Sequence, residues 1–395
     1  MDTGRKLVIC ECMERPLAAL FEDGKAAELH YSGRTACRVG EIYVGKIQKI
    51  LPNISAAFVD IGDGILCYYS LEEKYEPVFT SKAGKKAFCI GDELLVQIQK
   101  EAVKTKQPVV TGNLNFTGKY VVLTSGSRIC GVSAKLSKSR REELEKLGAE
   151  YAGEEYGIIF RTNAGQAPKA LIRSEIAKLS RTFRQVMEFG KMRTCFSRIY
   201  TVPAPCISVL RDIYQDGLDE IVVEKYDGAD ELYHDVEAYL REEQPEDLSK
   251  LRAYTDSSYP LRKCYNLERI TQEALKERVW LDSGAYLVIE PTEALTAIDV
   301  NSGKCQKKKA AFTKINREAA RECARQIRLR NLSGIILIDF INMDSEEEKA
   351  ELLQYLRKEL SRDPNPGKVV DMTALQLVEI TRKKIYKTLK ESLYG

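Results

Sequence analysis

Two acidic residues and one amide lie at or near the ends of apolar runs in the last third of the chain. Asp299 and Asn301 follow the apolar run that begins at Ala294, and Asp339 lies within a second run over residues 335–341. Side chains alternate along a strand, so Asp299 and Asn301 are expected to point to the same face. A carboxylate buried in such a run without a partner would be unfavourable by an amount on the order of several kcal/mol. Mg2+ takes hard oxygen ligands and often needs only one or two carboxylates plus water, so the two acids predict one divalent-metal site.

The composition limits the classes of protein and of chemistry. The chain has 395 residues, of which 44% are hydrophobic, and this is enough for about two to four folded domains. Its 61 basic and 58 acidic residues give a net charge of +3, which by itself does not indicate nucleic-acid binding. Only His30 and His234 could supply an imidazole, so Ser-His and Cys-His catalysis are poorly supported.

The cysteines and the apolar runs indicate the compartment. The 11 cysteines form no Cys-x-x-Cys pair, which favours reduced thiols that take part in packing. The N-terminus lacks the apolar core of a signal peptide, and no run approaches the roughly 18 apolar residues of a membrane span. We therefore expect a soluble, cytoplasmic protein that has no membrane partner.

Short apolar runs with Gly punctuation predict a small β-barrel of the OB type between residues 40 and 99. A hairpin formed by residues 6–10 and 27–31 is predicted to precede it. The barrel strands are expected at residues 41–51, 55–61, 65–69 and 93–99, with a loop over 72–88.

The middle of the chain predicts mixed α/β structure. A predicted strand over residues 157–162 ends in Arg161 and Thr162. A guanidinium fork beside a hydroxyl can hold a phosphate, although a strand-end Arg-Thr pair is more often plain surface. The other elements are predicted as a strand at 119–124, helices at 138–147 and 178–191, and then a strand at 220–224 and a helix at 229–239.

The C-terminal part is predicted to place basic residues after the acid-bearing strand. A hairpin over residues 286–290 and 294–300 leads into a basic loop with Lys304 and Lys307–Lys309, and then into a helix over 312–332. A second helix, a Pro-Gly breaker at 363–367 and a final strand and helix follow. A solvated face is favoured for the helix stripe, and phosphate contacts by the loop or the stripe stay open. The stripe consists of Lys314, Arg317, Arg321, Arg325 and Arg328.

Four long motifs together resemble the ribonuclease E/G family. They are residues 293–303 (EALTAIDVNSG), 317–330 (REAARECARQIRLR), 334–343 (GIILIDFINM) and 377–383 (LVEITRK). The barrel stretches 40–47 (GEIYVGKI) and 56–62 (AAFVDIG) look like an S1 RNA-binding domain. The resemblance covers nearly the whole chain up to residue 383.

The resemblance implies a multidomain fold of α+β and α/β parts. It implies an S1 (OB-type) barrel at 36–112 inserted in an RNase H-like subdomain formed by residues 1–35 and 206–272. A 5′-phosphate sensor region at 113–205 and a DNase I-like catalytic region at 273–395 complete the expected order.

The resemblance also implies an endoribonuclease that uses Mg2+, or alternatively Mn2+, to hydrolyse single-stranded, A/U-rich RNA in the processing of ribosomal or messenger RNA. It implies products with 5′-phosphate and 3′-hydroxyl ends.

The resemblance also assigns roles to individual residues. By position, Asp299 and Asp339 match the metal-binding carboxylates, and Asn301 matches the amide that orients the catalytic site. The RNA-binding positions are Phe58, Tyr68 and Lys106 in the barrel, and Gly118, Val122, Arg161 and Thr162 in the 5′-monophosphate pocket. Phe58 could instead be a core residue, and Tyr68 stands where the family commonly has Phe.

The sequence departs from the family pattern in two places. The Cys-Pro-x-Cys element that joins subunits through zinc is expected after a helix around residues 381–383 and is not found, so neither zinc nor a zinc-linked oligomer is expected, while a homodimer stays open. Because no long disordered tail is found in this sequence, we expect no scaffold for a degradation complex and a protein closer to the G-type than to the E-type member. In the sensor, Lys368 is the one candidate for an additional basic residue. A point charge does not replace an Arg fork, so we predict a weaker preference for 5′-monophosphorylated RNA.

Two other functions remain possible for the same residues. One is an S1-containing RNA-binding or assembly factor that does not cleave, in which the acids are structural. The other is a metal-dependent DNA nuclease, although base-stacking aromatics favour single-stranded RNA.

Overall fold

A computed structural model describes residues 4–33, 37–82, 87–102, 106–151, 153, 155–213, 218–228, 230–303, 309–343 and 345–394. The chain forms two compact units: unit 1 comprises Met1–Gly33, Pro205–Val209 and Asp216–Gly395, and unit 2 comprises Arg34–Ala204 and Leu210–Gln215. Within the described ranges, no helix is both long and apolar enough to cross a membrane.

The secondary structure is mixed. The first thirteen strands are β1 (Arg5–Cys12), β2 (Arg15–Glu22), β3 (Lys25–Tyr31), β4 (Ile42–Leu51), β5 (Ala56–Asp60), β6 (Leu66–Ser70), β7 (Glu93–Lys100), β8 (Val109–Thr111), β9 (Asn115–Thr117), β10 (Val121–Thr124), β11 (Cys130–Val132), β12 (Gly157–Phe160) and β13 (Arg198–Tyr200). The others are β14 (Leu218–Glu224), β15 (Leu251–Tyr254), β16 (Arg278–Trp280), β17 (Tyr286–Pro291), β18 (Leu295–Asn301), β19 (Gly334–Asp339), β20 (Lys368–Met372) and β21 (Leu377–Arg382). The helices are α1 (Lys138–Ala149), α2 (Lys169–Gly190), α3 (Pro205–Asp212), α4 (Glu231–Glu243), α5 (Leu261–Cys264), α6 (Leu267–Ala274), α7 (Lys309–Leu329), α8 (Glu346–Leu360) and α9 (Leu389–Tyr394).

Unit 2 contains a closed five-stranded barrel. Its strands follow the order β4-β5-β6-β8-β7, and β7 pairs with β4 to close the ring. The alternation of β5 turns Ala57 and Val59 inward. Gly45 is required where two strands approach closely, because a Cβ there would collide with the side chain of Val59. Strand β8 was not predicted from the sequence, since three residues are too few to show alternation.

A second sheet in unit 2 has the order β11-β12-β10-β9, with α1 and α2 packed against it. Phe116 and Phe183 stack edge to face in its core, with ring centroids 5.6 Å apart. Helix α2 begins at Lys169, directly after Pro168, and so is longer than the predicted helix at 178–191. Strand β12 ends at Phe160 because Thr162 already starts a 3-10 turn.

The N-terminal sheet of unit 1 has the order β15-β14-β1-β2-β3. The predicted hairpin missed β2, which pairs with both β1 and β3. The turn between β1 and β2 is made by Met13 and Glu14 at φ 54° and 60°. Two-residue hairpin turns with positive φ usually contain Asn or Gly, so this turn carries no sequence signal.

The C-terminal sheet of unit 1 has the order β16-β17-β18-β19-β21-β20. Only β18 and β19 run parallel, and α7 connects them. Ile298, Val300, Ile336 and Ile338 pack into one core with residues of α7 and α8, which leaves the opposite side of the sheet, here called the open face. Residues 377–382 form a strand, so the helix expected around 381–383 was wrong.

The basic stripe on α7 is partly structural. Arg328 is buried and forms ion pairs with Glu28 at 2.6 Å and Glu22 at 3.1 Å. Burial acts to raise the pKa of Glu28, but the Arg328 charge and the His30 contact hold that pKa well below its usual range. The Arg325 guanidinium donates a hydrogen bond to the Ala26 carbonyl. The solvated-face prediction was therefore wrong for Arg325 and Arg328, although Lys314, Arg317 and Arg321 are exposed. Lys304, Lys307 and Lys308 lie outside the described residues, as does the side chain of Lys309.

Candidate active site

The two acids predicted to form a metal site lie side by side on the open face. Strands β18 and β19 are parallel, and Asp299 stands directly opposite Asp339 in their register. The predicted alternation is confirmed, because Thr296, Ile298 and Val300 are buried while Asp299 is exposed. Asp339 is exposed as well, so its carboxylate avoids the cost of burial among the apolar residues of its strand. Neighbouring strands are about 4.8 Å apart, which brings the two carboxylates within reach of one ion.

Within the described residues, no side-chain cation balances the charges of the two acids. Partial burial and the negative charge of Asp299 raise the pKa of Asp339. The Asn301 amide donates a hydrogen bond of 2.5 Å to Asp299 Oδ2, which orients that carboxylate. Among the side chains that the structure describes, no lysine or arginine pairs with either acid. Two like charges held together in this way favour a bound cation or a proton.

The donor set fits Mg2+ better than it fits zinc. Two carboxylates and an amide are hard oxygen-rich groups, and Mg2+ commonly binds one or two carboxylates and keeps several waters. The described residues contain no group of three or more His, Cys, Asp or Glu that could hold a metal. Asp299 and Asp339 could therefore hold the ion directly, while Asn301 fixes the orientation of Asp299.

The predicted phosphate pocket brings Arg161 to Gly118, but an acid also enters it. Arg161 Nη1 donates to the Gly118 carbonyl at 2.7 Å, and Nη2 pairs with Asp212 at 2.8 Å. Asp212 also pairs with Arg211 at 3.2 Å. Asp212 was not predicted, because no sequence pattern connects an Arg-Asp dipeptide to an arginine 51 positions earlier. The charge of Arg161 is thus balanced within the protein.

The rest of that pocket also makes internal contacts. The Glu175 carboxylate accepts the backbone N–H groups of Lys119, Tyr120 and Val121 at 2.7–2.8 Å. Burial raises the pKa of Glu175, although these hydrogen bonds act to lower it. Thr162 shares a hydroxyl contact of 2.9 Å with Ser133, and Val122 lies half-buried in β10, opposite Ile159 of β12. Of the four predicted residues, Gly118 and Arg161 are in direct contact.

The barrel places its predicted aromatic residues together on its outer surface. Phe58 and Tyr68 face each other across β5 and β6, with ring centroids 6.3 Å apart and the rings edge to face. Both are half-buried, so the alternative that Phe58 is a core residue is wrong. Lys106 is exposed and lies three residues before Val109, which pairs with Tyr68. Lys49, opposite Phe58 on β4 and exposed, is a further basic neighbour that sequence analysis missed.

Comparison with known proteins agrees with the motifs. The family model described as "Ribonuclease E/G family" matches residues 115–385. Ribonuclease G of Escherichia coli (strain K12) is 35% identical over 394 residues, covering 95% of this chain and 79% of that protein. Ribonuclease G of Haemophilus influenzae is 33% identical over 391 residues, covering 95% and 78%. Ribonuclease E of Nostoc sp. (strain PCC 7120) is 32% identical over 398 residues, covering 99% of this chain and 57% of that protein. With a match of this extent, which includes the strands that carry both acids, the chain belongs to the ribonuclease E/G family.

Proposed function

We propose that the protein is an endoribonuclease that hydrolyses single-stranded RNA with the help of Mg2+ held by Asp299 and Asp339. The observation that carries this proposal is the direct opposition of the two carboxylates on an open sheet face, without a protein cation among the described side chains. The family membership and the relatives named ribonuclease G and ribonuclease E support the same activity.

The three site residues have different roles in the proposed hydrolysis. Asp299 and Asp339 hold the ion, and Asn301 keeps the Asp299 carboxylate in one orientation. When bound, Mg2+ would lower the pKa of a coordinated water and stabilise negative charge on the scissile phosphate. Attack by the water oxygen forms the new bond to phosphorus and breaks the bond to the 3′ oxygen, which leaves with a proton. The products carry a 5′-phosphate and a 3′-hydroxyl, and no protein nucleophile is needed.

We further propose that the barrel binds the bases of the substrate. Every base has a π-face, so single-stranded RNA is held by stacking on aromatic side chains beside basic residues. The half-buried rings of Phe58 and Tyr68 on the outer surface of the barrel, with Lys49 and Lys106 nearby in the fold, supply this combination. The closed barrel supports the S1 assignment for residues 36–112. We keep the RNase H-like, sensor and DNase I-like assignments as part of the proposal, with A/U-rich ribosomal or messenger RNA as substrate.

Loss of either acid should abolish cleavage. We expect Asp299→Asn and Asp339→Asn to reduce the cleavage rate of a labelled single-stranded RNA roughly 100-fold or more, since metal assistance supplies several kcal/mol to the transition state. The assay compares Mg2+, Mn2+ and a chelator, with ends identified on the products. Asp371→Asn, which changes an exposed acid on the edge strand β20 of the same sheet, is the matched control and should keep full activity.

The outcomes separate the candidate functions. Wild-type protein that leaves RNA intact, or variants that cut at the wild-type rate, would disprove the proposed mechanism. Binding of RNA without cleavage would instead assign the chain to RNA-binding or assembly factors. Equal cleavage of single-stranded DNA of the same sequence would favour the DNA nuclease.

A further inference from the structure

An aromatic pair, of which Trp280 is exposed and Tyr286 is half-buried, lies on the open face next to the acid-bearing strand. Trp280, the one tryptophan of the chain, leaves 64% of its surface exposed on the edge strand β16. Its ring contacts Tyr286 of β17 at a centroid distance of 5.1 Å, with the rings tilted by 56°. Burial of the large apolar face of an indole is energetically favourable. An indole that is exposed at this position therefore suggests that a binding partner covers it.

The register connects this pair to the candidate active site. Trp280 pairs with Tyr286, and Tyr286 pairs with Asn301. One row further along, Arg278 pairs with Val288, and Val288 pairs with Asp299, which stands opposite Asp339. Directly paired residues point to the same face of a sheet. Trp280 therefore lies two strand spacings, about 10 Å, from Asn301 on the same face.

A guanidinium completes the group. Arg278 lies over the Tyr286 ring at 4.6 Å and near the Trp280 ring at 5.9 Å. In the part of the chain that the structure describes, no carboxylate pairs with Arg278. Its planar fork of donors therefore remains available to a phosphate. Aromatic faces beside an arginine are the combination that binds single-stranded nucleic acid.

We propose that Arg278, Trp280 and Tyr286, here called the base platform, bind a nucleotide that flanks the scissile phosphate. The base stacks on Trp280, the guanidinium of Arg278 contacts a backbone phosphate, and the scissile phosphate lies over Asp299 and Asp339. The inference rests on the proposed nuclease function, since RNA is the occupant that suits both the aromatic face and the acid pair.

A structural role for the same residues predicts a different result. Cross-strand aromatic and cation–π contacts also stabilise an edge hairpin. In that case, replacing Trp280 would lower the melting temperature and would leave RNA affinity of the folded protein unchanged. The two roles are thus separated by measuring RNA contact at Trp280 itself.

The single tryptophan makes this measurement direct. The Asp339→Asn variant, which should bind RNA without cutting it, is titrated with a single-stranded oligonucleotide while tryptophan emission is followed. Label anisotropy on the same RNA reports binding independently. We expect stacking to change Trp280 emission in parallel with anisotropy. Oligonucleotides with one abasic site, moved stepwise across the cleavage site, should lose the emission change at one position only, which identifies the stacked nucleotide.

Substitutions complete the test in the active protein. Trp280→Ala should raise KM or weaken RNA binding by roughly 5- to 150-fold, the range expected for loss of one base–aromatic stack, and Trp280→Phe should restore most of it. Tyr259→Ala removes an aromatic ring that is 52% exposed but lies outside this sheet, and should change neither value. Melting curves confirm that each variant is folded.

Three results would overturn the base platform. RNA binding without any emission change, with cleavage intact, would reject it and leave the nuclease function standing. A Trp280→Ala protein with lower stability and unchanged KM would assign a structural role. A change in Trp280 emission that depends on protein concentration rather than on RNA concentration would indicate that a second copy of the chain binds this surface. Absence of both binding and cleavage in the wild-type protein would instead reject the function on which the inference rests.

Discussion

At the scale of single residues, Asp212 lies beside Arg161 in the predicted phosphate pocket. Burial acts to raise the pKa of Asp212, but Arg211 and Arg161 hold it below its ordinary range. Asp212 is therefore ionised at neutral pH and competes with any phosphate for the same guanidinium. This competition adds to the point-charge argument about Lys368, which is exposed at the start of β20. Both arguments support the prediction that 5′-monophosphorylated RNA is only weakly preferred.

Removing the competing charge should strengthen that preference. We expect Asp212→Asn to increase the ratio of cleavage rates for 5′-monophosphate and 5′-hydroxyl substrates by several-fold, because a charge-assisted hydrogen bond contributes about 1.5–3 kcal/mol. The native pKa of Asp212 is depressed, so its stabilising effect is present above the unfolded pKa of about 3.9 and is lost as pH falls through the native value. The variant should accordingly melt at a lower temperature than wild type at pH 7.

The matched control is Glu155→Gln, which breaks the exposed ion pair with Arg184 in the same unit. It should alter neither the substrate ratio nor the melting temperature appreciably, because exposed ion pairs contribute little. An unchanged or smaller substrate ratio in Asp212→Asn would contradict the competition that we describe.

At the scale of secondary-structure elements, strand alternation decides which aromatic residues face outward from the barrel, where the proposal places RNA. On β5 the inward positions Ala57 and Val59 form the barrel core, and Phe58 between them faces outward against Tyr68 of β6. The pair is held by cross-strand register rather than by a flexible loop. Two rings fixed in this way present a surface to bases at little entropic cost.

Truncation of either ring should weaken RNA binding without unfolding the barrel. We expect Phe58→Ala and Tyr68→Ala each to lose about 1–3 kcal/mol of binding free energy for single-stranded RNA, the contribution of one base–aromatic stack. Tyr68→Phe should bind like wild type, since the ring face is kept. Fluorescence anisotropy with labelled RNA measures the affinities. Tyr75→Ala, which removes a ring that is 39% exposed in the loop between β6 and β7, is the control. Full affinity in both truncation variants would remove the barrel pair from the RNA site.

At the scale of the whole molecule, the proposed metal site would couple ion binding to the stability of unit 1. Asp299 and Asp339 both belong to that unit. The raised native pKa of Asp339 means that the metal-free native state binds a proton more tightly than the unfolded chain does. Metal-free protein should therefore gain stability as pH falls toward that pKa, whereas protons compete with Mg2+ and weaken its stabilising effect.

Mg2+ should stabilise the wild-type protein through these two residues. At a concentration 100 times its Kd the ion should add about 2.7 kcal/mol to the unfolding free energy, and less at pH 5 than at pH 7.5. Asp339→Asn should lose this gain, yet should melt no lower than wild type in chelator, because it removes a repulsion. Scanning calorimetry suits the measurement, since a chain with two compact units need not unfold in one transition. An equal Mg2+ shift in the variant would place the ion elsewhere.

Local patterns in the sequence determined a good part of this picture. Alternation over residues 295–301 was enough to place Asp299 and Asn301 on one face, and four of the five barrel strands followed from short apolar runs. Motif resemblance indicated the family, which the comparisons show. These features succeed because side-chain period and turn chemistry act over a few residues. Strand β2 was not predicted because the turn before it lacks the usual turn residues, and strand β8 was not predicted because it is too short to show alternation.

Only the tertiary structure decided which distant groups meet. The sequence suggested that Asp299 and Asp339 share a site, but it could not show that they stand directly opposite on parallel strands. It could not show that Arg328 is buried against Glu28 or that Asp212 pairs with Arg161. It also could not show that Trp280 and Asn301 lie in the same register on either side of β17. The physical reason is that charge pairing and strand neighbourhood depend on how separate segments pack, and no local period encodes that packing.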